Sequence, residues 1–135
     1  MTLPRAVQSS VGVALRTIDY PVEPFQGILT AAGTLQITAD YVDPDKIWRI
    51  ERLVVKSTSA NQLTLEVTDG THTRDYGIMP PPNPNTFPQV AEYPRPMTIL
   101  GNQQWTLLVG GLNVGDVVSG TLQYELVTRV PASSP

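Results

Sequence analysis

The chain is 135 residues long, 41% hydrophobic and only 16% charged, with 13 prolines, no cysteine and a formal net charge of −3. That size suits one domain able to bury a core without staples, and the lack of cysteine excludes disulfide scaffolds, thiol catalysis and cysteine-bound zinc. The acidic balance argues against a nucleic-acid partner, which needs clustered Lys and Arg, and without a run of 18 apolar residues a membrane partner is not expected either.

Taken in order, residues 1–10 read as an N-terminal arm with no secretory pattern: Met1-Thr2-Leu3-Pro4-Arg5 has no basic segment leading into an apolar one. Val11 to Tyr20 forms a weak first strand, with Val11, Val13 and Leu15 alternating. Pro21, Pro24 and Gly27 then break the chain. In Gly33 to Val42, Leu35, Ile37, Ala39 and Tyr41 fall on one face and Thr34, Gln36, Thr38 and Asp40 on the other, the period of a half-buried strand. Asp43-Pro44-Asp45 supplies a turn.

Residues 47–57 have the strongest strand character, a run of Ile, Trp, Leu and Val without Gly or Pro. Its parity changes midway: Trp48 and Ile50 share a face, then Leu53 and Val55 share the other. A strand with such a shift carries a β-bulge or is covered on both sides. Leu63, Leu65 and Val67 follow, Asp69-Gly70 gives a tight turn, and Thr71 to Tyr76 returns as the second arm of a hairpin.

Residues 77–96 hold 7 of the 13 prolines and read as a long Pro-rich loop, extended and poor in backbone donors. A loop of that length in a small domain is usually functional or disordered. Met97 to Leu100 is a short strand. Trp105, Leu107 and Val109 alternate in the next one. Val118, Gly120, Leu122, Tyr124 and Leu126 line one face of a closing strand that runs to Pro131, with a C-terminal tail at 131–135. Seven or eight strands and no convincing helical period predict an all-β chain: a single antiparallel β-sandwich, jelly-roll-like, spanning 11–130.

No catalytic constellation emerges, and the chain is not expected to be an enzyme or to hold a cofactor or metal. His72 has no second His or Cys to work with and reads as a polar strand residue. Glu51 and Glu66 each fall between apolar residues, as outward-facing positions do, and do not read as an acid pair. Gly110 and Gly115 have phosphate-loop spacing, but Asp116 stands where that loop needs Lys. No G-x-S-x-G context surrounds any serine. Trp48, Trp105, Tyr76 and Tyr93 could form a sugar-binding platform; the two tryptophans, each starting an apolar run, read as core, and Tyr93 among prolines reads as an interface residue.

The run Trp48-Arg49-Ile50-Glu51-Arg52-Leu53-Val54-Val55, the segment Tyr93-Pro94-Arg95-Pro96-Met97-Thr98-Ile99 before Gly101, and Gly115-Asp116 ahead of Leu122-Gln123-Tyr124-Glu125-Leu126-Val127 together resemble the jelly-roll decoration, or cement, proteins of tailed bacteriophage heads. The resemblance covers roughly 40–130 and carries no catalytic signature. It implies a virion protein on the capsid exterior that bridges subunits of the major capsid protein, a homo-oligomer with a trimer favoured. Related tail and fibre modules imply the alternative, recognition of host-surface carbohydrate. On the capsid reading the contacts are expected from the arm 1–10, the loop 77–96 and the tail 127–135, with Pro4, Arg5, Pro80, Pro81, Pro82, Phe87, Tyr93 and Arg95 as interface residues; on the carbohydrate reading they are expected from exposed aromatics such as Tyr93. Pro-rich segments lose little entropy on docking.

Overall fold

The computed structural model describes residues 13–81, 89–93 and 97–131. Those residues form ten strands: β1 Val13–Asp19, β2 Val22–Ile28, β3 Leu35–Tyr41, β4 Lys46–Ser57, β5 Leu63–Thr68, β6 Thr73–Met79, β7 Gln89–Tyr93, β8 Met97–Ile99, β9 Gln104–Gly110 and β10 Val117–Pro131. None of them is helical, and among the described residues no helix is long and apolar enough to cross a membrane.

All strand pairings are antiparallel and fall into two sheets. One runs β1-β10-β4-β7, with β2 also on β10 and β8 also on β4; the other runs β3-β9-β5-β6. β1 and β2 occupy successive lengths of one flank of β10, and β7 and β8 successive lengths of one flank of β4. Counting each pair as one position leaves eight positions. The first pairs with the last, the second with the second last, and so inward to the β5–β6 hairpin. This nested pairing, folded into two layers, is the jelly-roll arrangement.

The core lies between the layers. Trp48, Ile50, Leu53, Val55, Met97, Ile99, Val118, Leu122 and Tyr124 come from one sheet; Leu35, Ile37, Leu63, Leu65, Val67, Met79, Trp105, Leu107 and Val109 come from the other. Trp48 stacks on Tyr124 with ring centroids 4.2 Å apart and 18° between planes. Both tryptophans are therefore core residues, as their position at the head of apolar runs implies.

The parity change in β4 is a bulge. Gln123 faces Arg52 and Tyr124 faces Ile50, so Glu51 is the extra residue. Glu51 and Arg52 together fill one outward position, and Ile50 and Leu53 both point inward. A second bulge on β6 sets Leu65 against Gly77 and Glu66 against Asp75, leaving Tyr76 extra and buried.

Three expectations need correction. Residues 22–28, read as a break, are β2: Pro24 is tolerated because β2 lies at a sheet edge, where a missing N–H costs no ladder bond. Residues 77–96 are not one loop. Gly77 to Met79 ends β6, with Met79 fully buried, and the proline-free stretch 89–93 forms β7 on the edge of β4. Tyr41 does not share the buried face of Leu35 and Ile37; the β3–β9 register shifts between Thr38 and Tyr41, and Tyr41 is 66% exposed. The first strand begins at Val13 among the described residues, while the 1–10 arm and residues 132–135 of the tail lie outside them.

Candidate binding flank

The polar residues singled out in the sequence do not converge. His72 is exposed, its Nδ1 3.5 Å from Asp69 Oδ2. Asp69 itself is buried and shapes the β5–β6 turn, its Oδ1 accepting from the N–H groups of Thr71 at 2.8 Å and His72 at 2.7 Å. Burial pushes its carboxyl up, but the amides of His72 and Thr71 outweigh that and hold it below the usual value. Glu51 stands on the outer face of one sheet and Glu66 on that of the other, so they form no acid pair. Trp48, Trp105 and Tyr76 are buried, which removes three of the four residues of the sugar platform. Among the described residues no group of three or more His, Asp or Glu side chains is placed to hold a metal.

Of the expected interface residues, Pro80 and Pro81 follow β6 and are exposed. Tyr93 ends β7, its backbone opposite Leu53. Pro4, Arg5, Pro82, Phe87 and Arg95 lie outside the described residues.

What the fold brings together instead is the flank formed by β1 and β2. Among the described residues, β10 is the only strand paired with either, so their far side is an open sheet edge. Leu15, Ile18, Tyr20 and Val22 along it are each at least half exposed. Ile18 is the extra residue of a bulge, since Thr17 faces Val127 and Asp19 faces Leu126. On the outer face Thr17 Oγ1 donates to Glu125 Oε2, and Arg49 Nη1 lies 3.4 Å from Glu125 Oε1.

The inner side of the same flank sets an acid beside an aromatic ring. Glu23 and Phe25 face Leu122 and Gly120 across the ladder and share the inward parity of β10. Gly120 has no room for a side chain: a Cβ there would sit 1.8 Å from the Val54 carbonyl oxygen and 2.9 Å from Phe25 Cζ. Its absence lets the Phe25 ring lie against the sheet and tilt onto Trp105, centroids 5.6 Å apart. Gly27 does the same where β2 meets β3, since a Cβ would be 2.9 Å from Ile37 Cγ1.

Between β2 and β3 this leaves a groove of about 290 Å³, lined by the apolar Phe25, Ile37, Trp105 and Leu122 and by two acidic residues, Glu23 of β2 and Asp40 of β3. Tyr124 Oη donates to Glu23 Oε2 at 2.7 Å. Burial, and then the Glu23 carboxylate, push the Tyr124 phenol well above its ordinary value. Sequence reasoning missed Glu23, Asp40 and Tyr124 as a group, because 101 positions separate the hydrogen-bonded pair. The alternation of Glu23 and Phe25 was the available signal, and the flanking prolines obscured it.

No protein-family model and no curated protein matches the chain. Among solved structures, a chain in the structure of infectious bursal disease virus, Gt strain, is similar to it with a TM-score of 0.38 and 14% identity, over 94% of this chain and 35% of that one. The protein thus spans about a third of that neighbour's length, and a likeness of this size assigns no function.

Proposed function

We propose that this protein is a structural virion component of a tailed bacteriophage, decorating the outer surface of the capsid as a homo-oligomer and bridging subunits of the major capsid protein. The sequence resemblance to phage cement proteins supports that reading. The fold is compatible with it, although jelly rolls serve many functions. The observation that carries it is the open β1–β2 edge, where Leu15, Ile18, Tyr20 and Val22 stand at least half exposed. A row of apolar side chains on an unpaired edge is a liability unless a partner covers it. On this reading no chemistry is needed; a rigid sandwich offers a sticky flank, and the capsid lattice supplies the complement.

The test is co-sedimentation of the purified protein with phage heads that lack it. Wild type is expected to bind saturably, and the double variant Ile18→Glu, Tyr20→Glu to lose binding while keeping its circular dichroism spectrum and melting temperature. A folded double variant that still binds would remove the edge from the mechanism. Failure of wild type to bind any head, joined with a saccharide hit on a glycan array, would replace the reading by carbohydrate recognition.

A further inference from the structure

The groove between β2 and β3 has a chemistry that the apolar edge does not explain. Two acidic residues line it, Glu23 from β2 and Asp40 from β3, and among the described residues no Lys, Arg or His does. Neither acid belongs to an ion pair among the described residues. Glu23 is held in place: its Oε2 takes the Tyr124 hydroxyl at 2.7 Å, and Tyr124 is buried and stacked on Trp48. A carboxylate offers about four acceptor positions, so one anchoring bond leaves the rest free. The floor below is apolar and aromatic, with the half-buried Phe25 ring tilted onto Trp105.

An anion would meet two like charges here. A neutral apolar ligand would leave the carboxylates desolvated without a partner. A cation on an alkyl stem satisfies both parts: the stem covers the floor and the charge reaches the acids. Between ammonium and guanidinium, a pair of carboxylates favours the planar fork, which has several N–H groups to offer and a flat face that can lie against an aromatic ring.

We propose that this groove is a receptor for a guanidinium group on an alkyl stem, supplied by an arginine side chain of the docked partner. The source of the arginine rests on the assembly reading above; the chemistry of the groove does not. The arginine would enter beside the β1–β2 edge, so that the apolar strip and the acidic slot engage one partner surface together.

The test uses the full chain, labelled with nitrogen-15 and titrated with Nα-acetyl-arginine methylamide, its neutral isostere Nα-acetyl-citrulline methylamide, and methyl α-glucoside. The arginine compound is expected to shift the resonances of 23–27, 37–40 and the Trp105 indole, and citrulline to bind at least tenfold more weakly. Glu23→Gln and Asp40→Asn, both at exposed positions, should each weaken arginine binding about tenfold, as the loss of a charge-assisted hydrogen bond does. Equal binding of citrulline, unchanged affinity in both variants, preference for the glucoside, or no arginine binding overturns the assignment. Heads that bind wild type while the arginine compound does not would overturn the groove and leave the assembly reading standing. Arginine binding without head binding would do the reverse.

Discussion

Gly120→Ala tests the packing that builds the flank. The new Cβ would lie 1.8 Å from the Val54 carbonyl oxygen and 2.9 Å from Phe25 Cζ. Ordinary carbon–oxygen contacts sit at about 3.3 Å or more, so the two backbones must part by roughly 1.5 Å. They belong to β10 and β4, the central pair of the larger sheet, and Thr121 faces Val54 at that point. The ring can swing aside, but the carbonyl can move only with its strand. Overpacking of this kind costs about 1–3 kcal/mol, and a ladder bond pulled open in the interior adds about 1–3 kcal/mol. A total of about 4 kcal/mol is a large part of the 5–15 kcal/mol typical of a whole domain, and should lower the melting temperature by roughly 10–15 °C. Urea titration followed by circular dichroism would measure it. Gly27→Ala is the milder comparison: its Cβ would meet only side-chain atoms, Ile37 Cγ1 at 2.9 Å and Cδ1 at 3.1 Å, and no backbone, so the cost should fall at the low end of overpacking, about 1 kcal/mol. Adding Phe25→Ala to Gly120→Ala should restore little, because the carbonyl collision remains. If Gly120→Ala melts within about 2 °C of wild type, the close approach of β10 and β4 described here is wrong.

Tyr124→Phe should flatten the alkaline limb of the stability curve. The folded phenol is held above its ordinary value of 10.0 by burial and by Glu23, so the unfolded chain loses its proton first as pH rises. The stabilisation from that group is complete below about pH 10 and is lost above it in wild type alone, as chemical denaturation at stepped pH would show. Asp69→Asn should do the same at the acid end. Its carboxyl is held below its ordinary value of 3.8 in the folded protein, so its contribution is present above about pH 4 and lost as pH falls through the folded value; the variant should lack that part of the acid transition. Deleting Glu51 should leave the fold intact, because Ile50, Arg52 and Leu53 then alternate regularly against Tyr124, Gln123 and Leu122. Deleting Val54 instead would turn Val55 outward, and a cooperative melt surviving that change would contradict the register.

The bulge in β4 was legible because a bulge leaves a trace in parity: Trp48 and Ile50 fall on even positions, Leu53 and Val55 on odd ones, and one extra residue reconciles them. The β5–β6 hairpin was legible because Asp69-Gly70 fixes the turn locally. β2 was not. Pro21, Pro24 and Gly27 each weaken a strand taken alone; what rescues them is the surroundings, an edge that needs no donor from Pro24 and a neighbour, Ile37, that leaves Gly27 no room for a Cβ. Tyr41 failed in the opposite sense, since a shift in the β3–β9 register turned out a residue whose own alternation was regular. The groove was illegible for a topological reason. Glu23, Asp40 and Tyr124 come from β2, β3 and β10, and only the nested pairing of first strand with last sets them at one mouth.

The same topology decides how a partner can use the flank. An open edge invites strand addition, in which a partner's backbone continues the ladder. Here that route is obstructed along much of its length. The bulge at Ile18 breaks the spacing of β1, Pro21 interrupts the run between β1 and β2, and Pro24 has no N–H to give. Prolines and bulges on edges suppress backbone pairing. Yet the charges that usually complete such protection are few here: exposed Leu15, Ile18, Tyr20 and Val22 stand beside Arg16, Asp19 and Glu23. On the proposed reading, backbone refusal combined with side-chain attraction would select a partner that docks on its surface chemistry, apolar against Leu15, Ile18, Tyr20 and Val22 and basic toward Glu23 and Asp40. Such a partner is chosen by the shape and charge of a folded surface, and an arbitrary extended peptide lacks both.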